Sequence, residues 1–177
     1  MLEGGLNAAT MEGIAARAGV SKATIYKWWP SRGAVALDGF LDRVQHSMAI
    51  PEGASTVEAL VFQVDELVKL FRDTEIGPIM RAVASQVESD ADVARAVRER
   101  WLAPRRAVCA EVIRAGIARG DLRPDLDVQA TMDQLYGPLY YRLIFGHEPL
   151  PADLARTLVT QLLRGIGSDT AISRRTV

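Results

Sequence analysis

The sequence predicts an all-α protein, with a small helix-turn-helix unit at its N-terminus and a larger helical bundle behind it. Three observations carry that prediction. Apolar residues recur with a 3.6-residue period along most of the 177 residues, and alternating strand patterns are nearly absent. A glycine joins two short alanine-rich helical segments near the start. Proline and glycine then cut the remainder into helix-sized pieces.

The clearest helix runs from Thr56 to Arg72, where Val57, Leu60, Val61, Val64, Leu67, Val68 and Phe71 form one apolar face. Ser55 or Thr56 can cap it, and Pro51-Glu52-Gly53 before it reads as a linker. That linker divides the chain into residues 1–48, residues 54–168 and a frayed tail, 169–177. Gly77-Pro78 opens a helix through about Val87, since proline suits a first helical turn. Ser89-Asp90 caps the next, which carries Val93, Val97 and Trp101 inward. Pro104 should kink or restart it, because its ring removes a donor and meets the preceding turn. The restarted piece, with Val108, Val112 and Ile113 inward, ends at Arg119-Gly120-Asp121. A helix after Asp127 presents Val128, Met132, Leu135, Leu139 and Leu143, and Gly146, Pro149 and Pro151 stop it. The last, from Ala152, presents Leu154, Leu158, Leu162, Leu163 and Ile166.

Composition excludes several classes. A chain that is 49% hydrophobic and 24% charged buries a sizeable core without staples. A single cysteine, Cys109, forms no internal bridge and fits a reducing compartment, where it reads as a small core residue. No apolar run reaches the roughly 20 residues of a membrane span, and the start lacks a secretory layout, so a cytoplasmic location is expected. His46 and His147 have no metal-ligand neighbours at helical spacing. Phosphate-binding glycine loops, nucleophile elbows and paired cysteines are missing too, so neither an enzyme nor a bound cofactor or metal is expected.

The stretch TMEGIAARAGVSKATIYKWWPSRGAVALDGF, residues 10–40, carries the specific message. Thr10 caps a helix with Ile14 and Ala15 inward. Gly19 takes the left-handed residue that ends it, and Val20 is placed as a plug between the helices. Ser21 caps a second helix. Its Ser21 and Thr24 hydroxyls, the Lys22 and Lys27 ammonium groups, the Tyr26 hydroxyl and the Ala23 and Thr24 methyls are the chemistry a DNA major groove accepts. Between Met11 and Arg32 four cations face one carboxylate, a local +3 that leaves −4 for the rest of a chain of net charge −1. Positive potential is therefore gathered at one end.

This run resembles the DNA-binding segment of TetR-type transcriptional regulators: a capped helix, then A-x-x-A-G-V-S, a short reading helix ending in tyrosine and two aromatics, and the start of a linking helix. About 30 residues carry the resemblance. It implies that Ser21, Lys22, Ala23, Thr24, Tyr26, Lys27 and Trp28 form or flank the reading helix. Thr10 would contact phosphate, and Arg32 would take the place usually held by lysine at the next helix start. The family has a full first helix of roughly a dozen residues, whereas only MLEGGLNAA precedes Thr10, too little for that helix. Gly33 replaces an acidic helix former, at up to about 1 kcal/mol relative to alanine. Trp28-Trp29-Pro30 is a bulky variant of the aromatic pair, read as packing under the linking helix.

The resemblance implies a ligand-responsive regulator, expected to be a repressor. It would bind a pseudo-palindromic operator in double-stranded DNA as a homodimer and be released by a small-molecule effector. Met80, Trp101, Arg105, Tyr136 and Tyr140 are the candidate effector-binding residues; Tyr141 is a further candidate for the cavity wall, and Arg105 and Arg142 are candidate partners of an anionic effector. Taken singly, the aromatic residues and Met80 read as core or dimer residues. Leu154, Leu158, Val159 and Leu162 are the candidate dimer residues, and the helix from Arg32 to about Ser47 is expected to transmit the signal. The competing expectation is a helical ligand-binding or interaction protein that lacks operator binding because its first helix is missing.

Overall fold

A computed structural model describes residues 10–29, 33–35, 38–39 and 49–164. All regular structure among them is helical: α1 (Met11–Ala18), α2 (Lys22–Trp28), α3 (Thr56–Asp73), α4 (Ile76–Ala84), α5 (Ala91–Ala96), α6 (Ala103–Arg119), α7 (Val128–Phe145) and α8 (Leu154–Arg164). A π-helical segment, Val97–Leu102, joins α5 to α6. Residues 33–35 and 38–39 are helical as well.

The caps follow from the side chains at the boundaries. Thr10 Oγ1 accepts from the Gly13 N–H at 3.0 Å, and Ser21 Oγ accepts from the Thr24 N–H at 3.1 Å. Asp90 accepts from Asp92 and Val93, and Asp127 from Gln129 and Ala130. Ser55 and Glu58 form a reciprocal capping box at the start of α3, where the Ser55 Oγ–H and N–H both donate to the carboxylate. Such caps contribute about 1 kcal/mol each. Gly19 ends α1 at φ +67°, a conformation that suits glycine because it lacks Cβ.

Two compact units result. One comprises Met1–Ala49 with Leu70–Val108, the other Ile50–Lys69 with Cys109–Val177. In the first, Phe71, Met80, Val83, Val93 and Trp101 are buried, and the Phe71 and Trp101 rings lie 6.3 Å apart. Gly77 lets α4 begin directly against the preceding turn, since a Cβ there would stand 2.2 Å from the Phe71 carbonyl oxygen. In the second, Val64, Cys109, Ile113, Met132, Leu135 and Leu139 are almost wholly enclosed. Gly116 makes room for Thr56 and Leu122, which a Cβ would meet at 2.7 and 3.0 Å. The buried Thr56 hydroxyl donates to Asp121 Oδ2 at 2.6 Å and accepts from Arg119 Nη2 at 2.6 Å. Those two donors hold the Asp121 carboxyl below its ordinary value, the Thr56 bond first.

Some expectations hold and others are corrected. The expected restart at Pro104 is seen, although helical structure is unbroken from Ala91 to Arg119: α5 ends at Ala96, the π-helical segment follows, and α6 begins at Ala103, one residue before the proline. The widened π turn lies immediately before the proline, where an α-helical Arg100 carbonyl would meet its ring. Val57 belongs to the exposed surface, and Ala59 joins the core in its place. α4 ends at Ala84 rather than Val87. Gly33 is no mere weak helix former: a Cβ there would lie 2.4 Å from Gln86 Oε1 and 2.8 Å from Val93 Cγ2, so a close approach requires glycine. His46, Ile166 and the tail from Ser168 lie outside the described residues. No helix among the described residues is long and apolar enough to cross a membrane.

Candidate nucleic-acid interface

The helix pair α1–α2 is assembled around a small core. Met11, Ala15 and Ile25 are buried, with Ile14, Trp29 and Val35 packed against them. Ile25 is the buried residue of α2. Every other described position of that helix is exposed, so Lys22, Ala23, Thr24, Tyr26, Lys27 and Trp28 face outward together, with Ser21 at the cap. One inward side chain in seven residues is what a short rod needs to stay docked while offering its remaining surface.

The polar groups of that surface already engage one another. Ser21 Oγ and Thr24 Oγ1 lie 2.8 Å apart and share a hydrogen bond. Lys22 Nζ pairs with Glu12 of α1, holding the Glu12 carboxyl below and the Lys22 ammonium above their ordinary values. The Lys22 ammonium also stands 5.7 Å from the Tyr26 ring centre, and Lys27 Nζ 5.8 Å from that of Trp28. A phosphate approaching α2 would therefore exchange with Glu12 for Lys22, whereas Lys27 meets a neutral ring. Thr10 is exposed at the α1 N-terminus, where the free backbone N–H groups favour an anion. Arg32 lies outside the described residues.

The adjacent tryptophans part company. Trp29 is half-buried on the helix-pair core, and its Nε1–H donates to Asp38 Oδ2 at 3.1 Å, as packing under the linking segment requires. Trp28 is 68% exposed and packs under nothing. Val20, expected as a plug, is 42% exposed. The tight Gly19 turn brings the helices close enough for Ala15 and Ile25 to fill that space.

The candidate effector residues fall into separate units. Met80, Trp101 and Arg105 belong to the first, Tyr136 and Tyr140 to the second. Met80 and Trp101 are buried. The Arg105 guanidinium lies 3.3 Å from the Trp101 ring centre and donates from Nη1 to the Trp101 carbonyl at 3.1 Å. Tyr136 donates its hydroxyl to Gln63 Oε1 at 3.3 Å. Arg142 Nη1 donates to the Pro149 carbonyl oxygen at 2.7 Å.

Of the candidate dimer residues, Leu154 and Val159 are buried within the chain's own core, which removes them from any external face. Leu158 and Leu162 are half-buried. Sequence reasoning missed the exposed Ile144 and Phe145, and two residues it did name, Tyr141 and, from the last helix's apolar stripe, Leu163, are also left outside. Tyr141, Ile144 and Phe145 share one face of α7 at i, i+3, i+4 spacing, so the signal was a second apolar stripe beside the inward one. Among the described residues no cluster of His, Cys, Asp or Glu could hold a metal ion.

Comparison with known proteins decides the family. Residues 1–38 match the family model described as bacterial regulatory proteins, tetR family, and residues 37–162 the tetracyclin repressor-like C-terminal domain. This chain belongs to the TetR family. It is 33% identical over 171 residues to the HTH-type transcriptional regulator YdeS of Bacillus subtilis, covering 97% of this chain and 86% of that protein. The crystal structure of the TetR family transcription regulator SCO0332 superposes with TM-score 0.78 at 39% identity, over 92% of this chain and 90% of that one. FadR from Bacillus subtilis, solved in complex with stearoyl-CoA, shares the fold at 18% identity and TM-score 0.70, over 93% and 92% of the two chains. The protein is thus a helix-turn-helix transcriptional regulator of this family rather than a member of an enzyme family.

Proposed function

We propose that this TetR-family regulator represses transcription by binding a pseudo-palindromic operator as a homodimer, and that a small-molecule effector releases it. The observation that carries this reading is the outward face of α2, where hydroxyls, methyls and two ammonium groups surround a single buried anchor, Ile25. Residues 1–48 act as the DNA-binding part and 54–168 as the effector and dimerisation part. Two copies of α2 enter successive major grooves about one helical turn apart. Ser21, Lys22, Ala23, Thr24 and Tyr26 face base edges and phosphates, while Thr10, Lys27, Trp28 and Arg32 meet the backbone.

The exposed Ile144 and Phe145 on α7 and Leu163 on α8, with half-buried Leu158 and Leu162, support pairing through these two helices. An apolar stripe open to water is stabilised when a second copy covers it. The family assignment supports a small-molecule effector, and FadR shows that a helical fold of this kind can hold one. Effector and operator then weaken each other by the same factor. A cytoplasmic location goes with this role.

The test is the salt dependence of binding to the gene's own promoter fragment. Lys27→Ala is expected to weaken binding on all sequences alike and to flatten the log–log salt slope by about one unit. An unchanged slope removes Lys27 from the phosphate contacts, and no gel shift by the chain at any salt overturns the operator reading.

A further inference from the structure

Within the first unit, a groove of about 430 Å³ runs between the end of α2 and the α5–π segment. Its volume lies in the range of small-molecule sites. Trp28 and Trp29 line it from the reading helix, Asp38 from the linking segment, and Glu99 and Arg100 from the π-helical turn. Ala34 and Ala96 keep its walls open.

The charges in this groove are unequal. Arg95 is paired with Asp92, and Arg100 Nη2 with Asp38 Oδ1 at 2.5 Å. Glu99 is exposed and has no ion-pair or hydrogen-bond partner among the described residues. One carboxylate is thus left over, beside an indole ring that is 68% exposed. The face of that ring already attracts the Lys27 ammonium. An aromatic face and an unpaired carboxylate lining one cavity are the means by which an organic cation is recognised, since the ring quadrupole and the carboxylate both attract positive charge.

We propose that this groove binds an organic cation, its ammonium or guanidinium group lodged between the Trp28 ring and Glu99. Asp38 connects the site to the reading helix, because one of its oxygens holds Arg100 and the other the Trp29 indole N–H. A cation beside Asp38 competes with Arg100 for that carboxylate and thereby disturbs the bond that fixes the C-terminal end of α2. This consequence for DNA rests on the operator reading above, whereas the binding itself does not.

Titration calorimetry on the DNA-free protein tests the site, with benzyltrimethylammonium as probe and benzoate as the anion of similar shape. Binding of the cation at least about tenfold tighter than benzoate is expected, with Glu99→Gln and Trp28→Leu each weakening it about fivefold, and with Glu111→Gln, an exposed carboxylate of the second unit, leaving it unchanged. Both groove variants alter exposed side chains, and circular dichroism verifies that their helices persist. Equal or tighter binding of benzoate, no saturable binding of the cation, or indifference to both groove variants overturns the proposal. A second titration, with the promoter fragment already bound, is expected to show weaker cation binding. Unchanged affinity there overturns the link to α2. Because the first arm contains no DNA, its failure is distinguishable from failure of the operator reading.

Discussion

The α1–α2 pair and the α7–α8 pair are built by one rule and finished in opposite ways. In each, an apolar stripe faces inward: Met11, Ala15 and Ile25 in the first, Met132, Leu135, Leu139, Leu154 and Val159 in the second. The outer faces differ. Around Ile25 stand hydroxyls, ammonium groups and a methyl, whereas outside α7–α8 stand Tyr141, Ile144, Phe145 and Leu163. A polar, cationic face exchanges its water for phosphates and base edges at little loss. An apolar face gains only by meeting another apolar surface. What the outside of a helix pair offers, rather than how firmly its inside is packed, distinguishes the partner each region suits.

The strongest way to break this comparison is to remove the single anchor of the reading helix. Ile25→Ala is expected to cost about 2–5 kcal/mol of helix-pair stability and to abolish promoter binding, while sizing by light scattering still reports the wild-type assembly. Loss of both properties together would show that the two regions do not act separately. Next in size is Gly33→Ala. Alanine is the better helix former, yet its Cβ would crowd Gln86 and the stiff, β-branched Val93. Overpacking should outweigh the propensity gain and lower denaturant-measured stability by about 1 kcal/mol. An increase in stability would mean that the approach relaxes freely.

Phe145→Asp probes the opposite face. The side chain is 70% exposed, so each chain should keep its helical circular dichroism, while the dimer dissociation constant rises at least about tenfold, or ~1.4 kcal/mol. An unaltered dissociation constant would move the interface elsewhere. The smallest effect concerns acid. Asp121 titrates below its ordinary 3.8 because Thr56 and Arg119 donate to it. A lowered folded value stabilises the fold above the ordinary one, and the contribution is lost as pH falls through the folded value. Wild type should therefore lose more stability between about pH 5 and pH 2 than Asp121→Asn does, with the two curves converging in acid. Parallel curves would remove Asp121 from the linkage.

Much of the helix-turn-helix was legible because its signals are local. Thr10, Ser21 and Gly19 act within four residues of themselves, and the structure shows each bond or dihedral that the spacing calls for. The outward chemistry of α2 was legible for the same reason, since fixing Ile25 inward fixes its neighbours outward on a 3.6-residue helix. Trp28 and Trp29 were not separable. They are adjacent and identical, and only the Asp38 carboxylate approaching from another segment makes one a packing residue. Leu154 and Val159 were mistaken for interface because periodicity marks an apolar face without saying whether the same chain or a second one covers it.

By itself the sequence determined most helix starts and stops, which residue types gather at the N-terminal helix pair, and the family to which those residues point. All of these depend on contacts within a turn or two of the chain, or on motif order. Tertiary structure alone decided that Gly33 is a point of close approach and that Arg100 reaches across 62 positions to Asp38. Those outcomes depend on atoms distant in sequence that are brought within van der Waals or hydrogen-bond range, and no local pattern encodes which distant atom arrives.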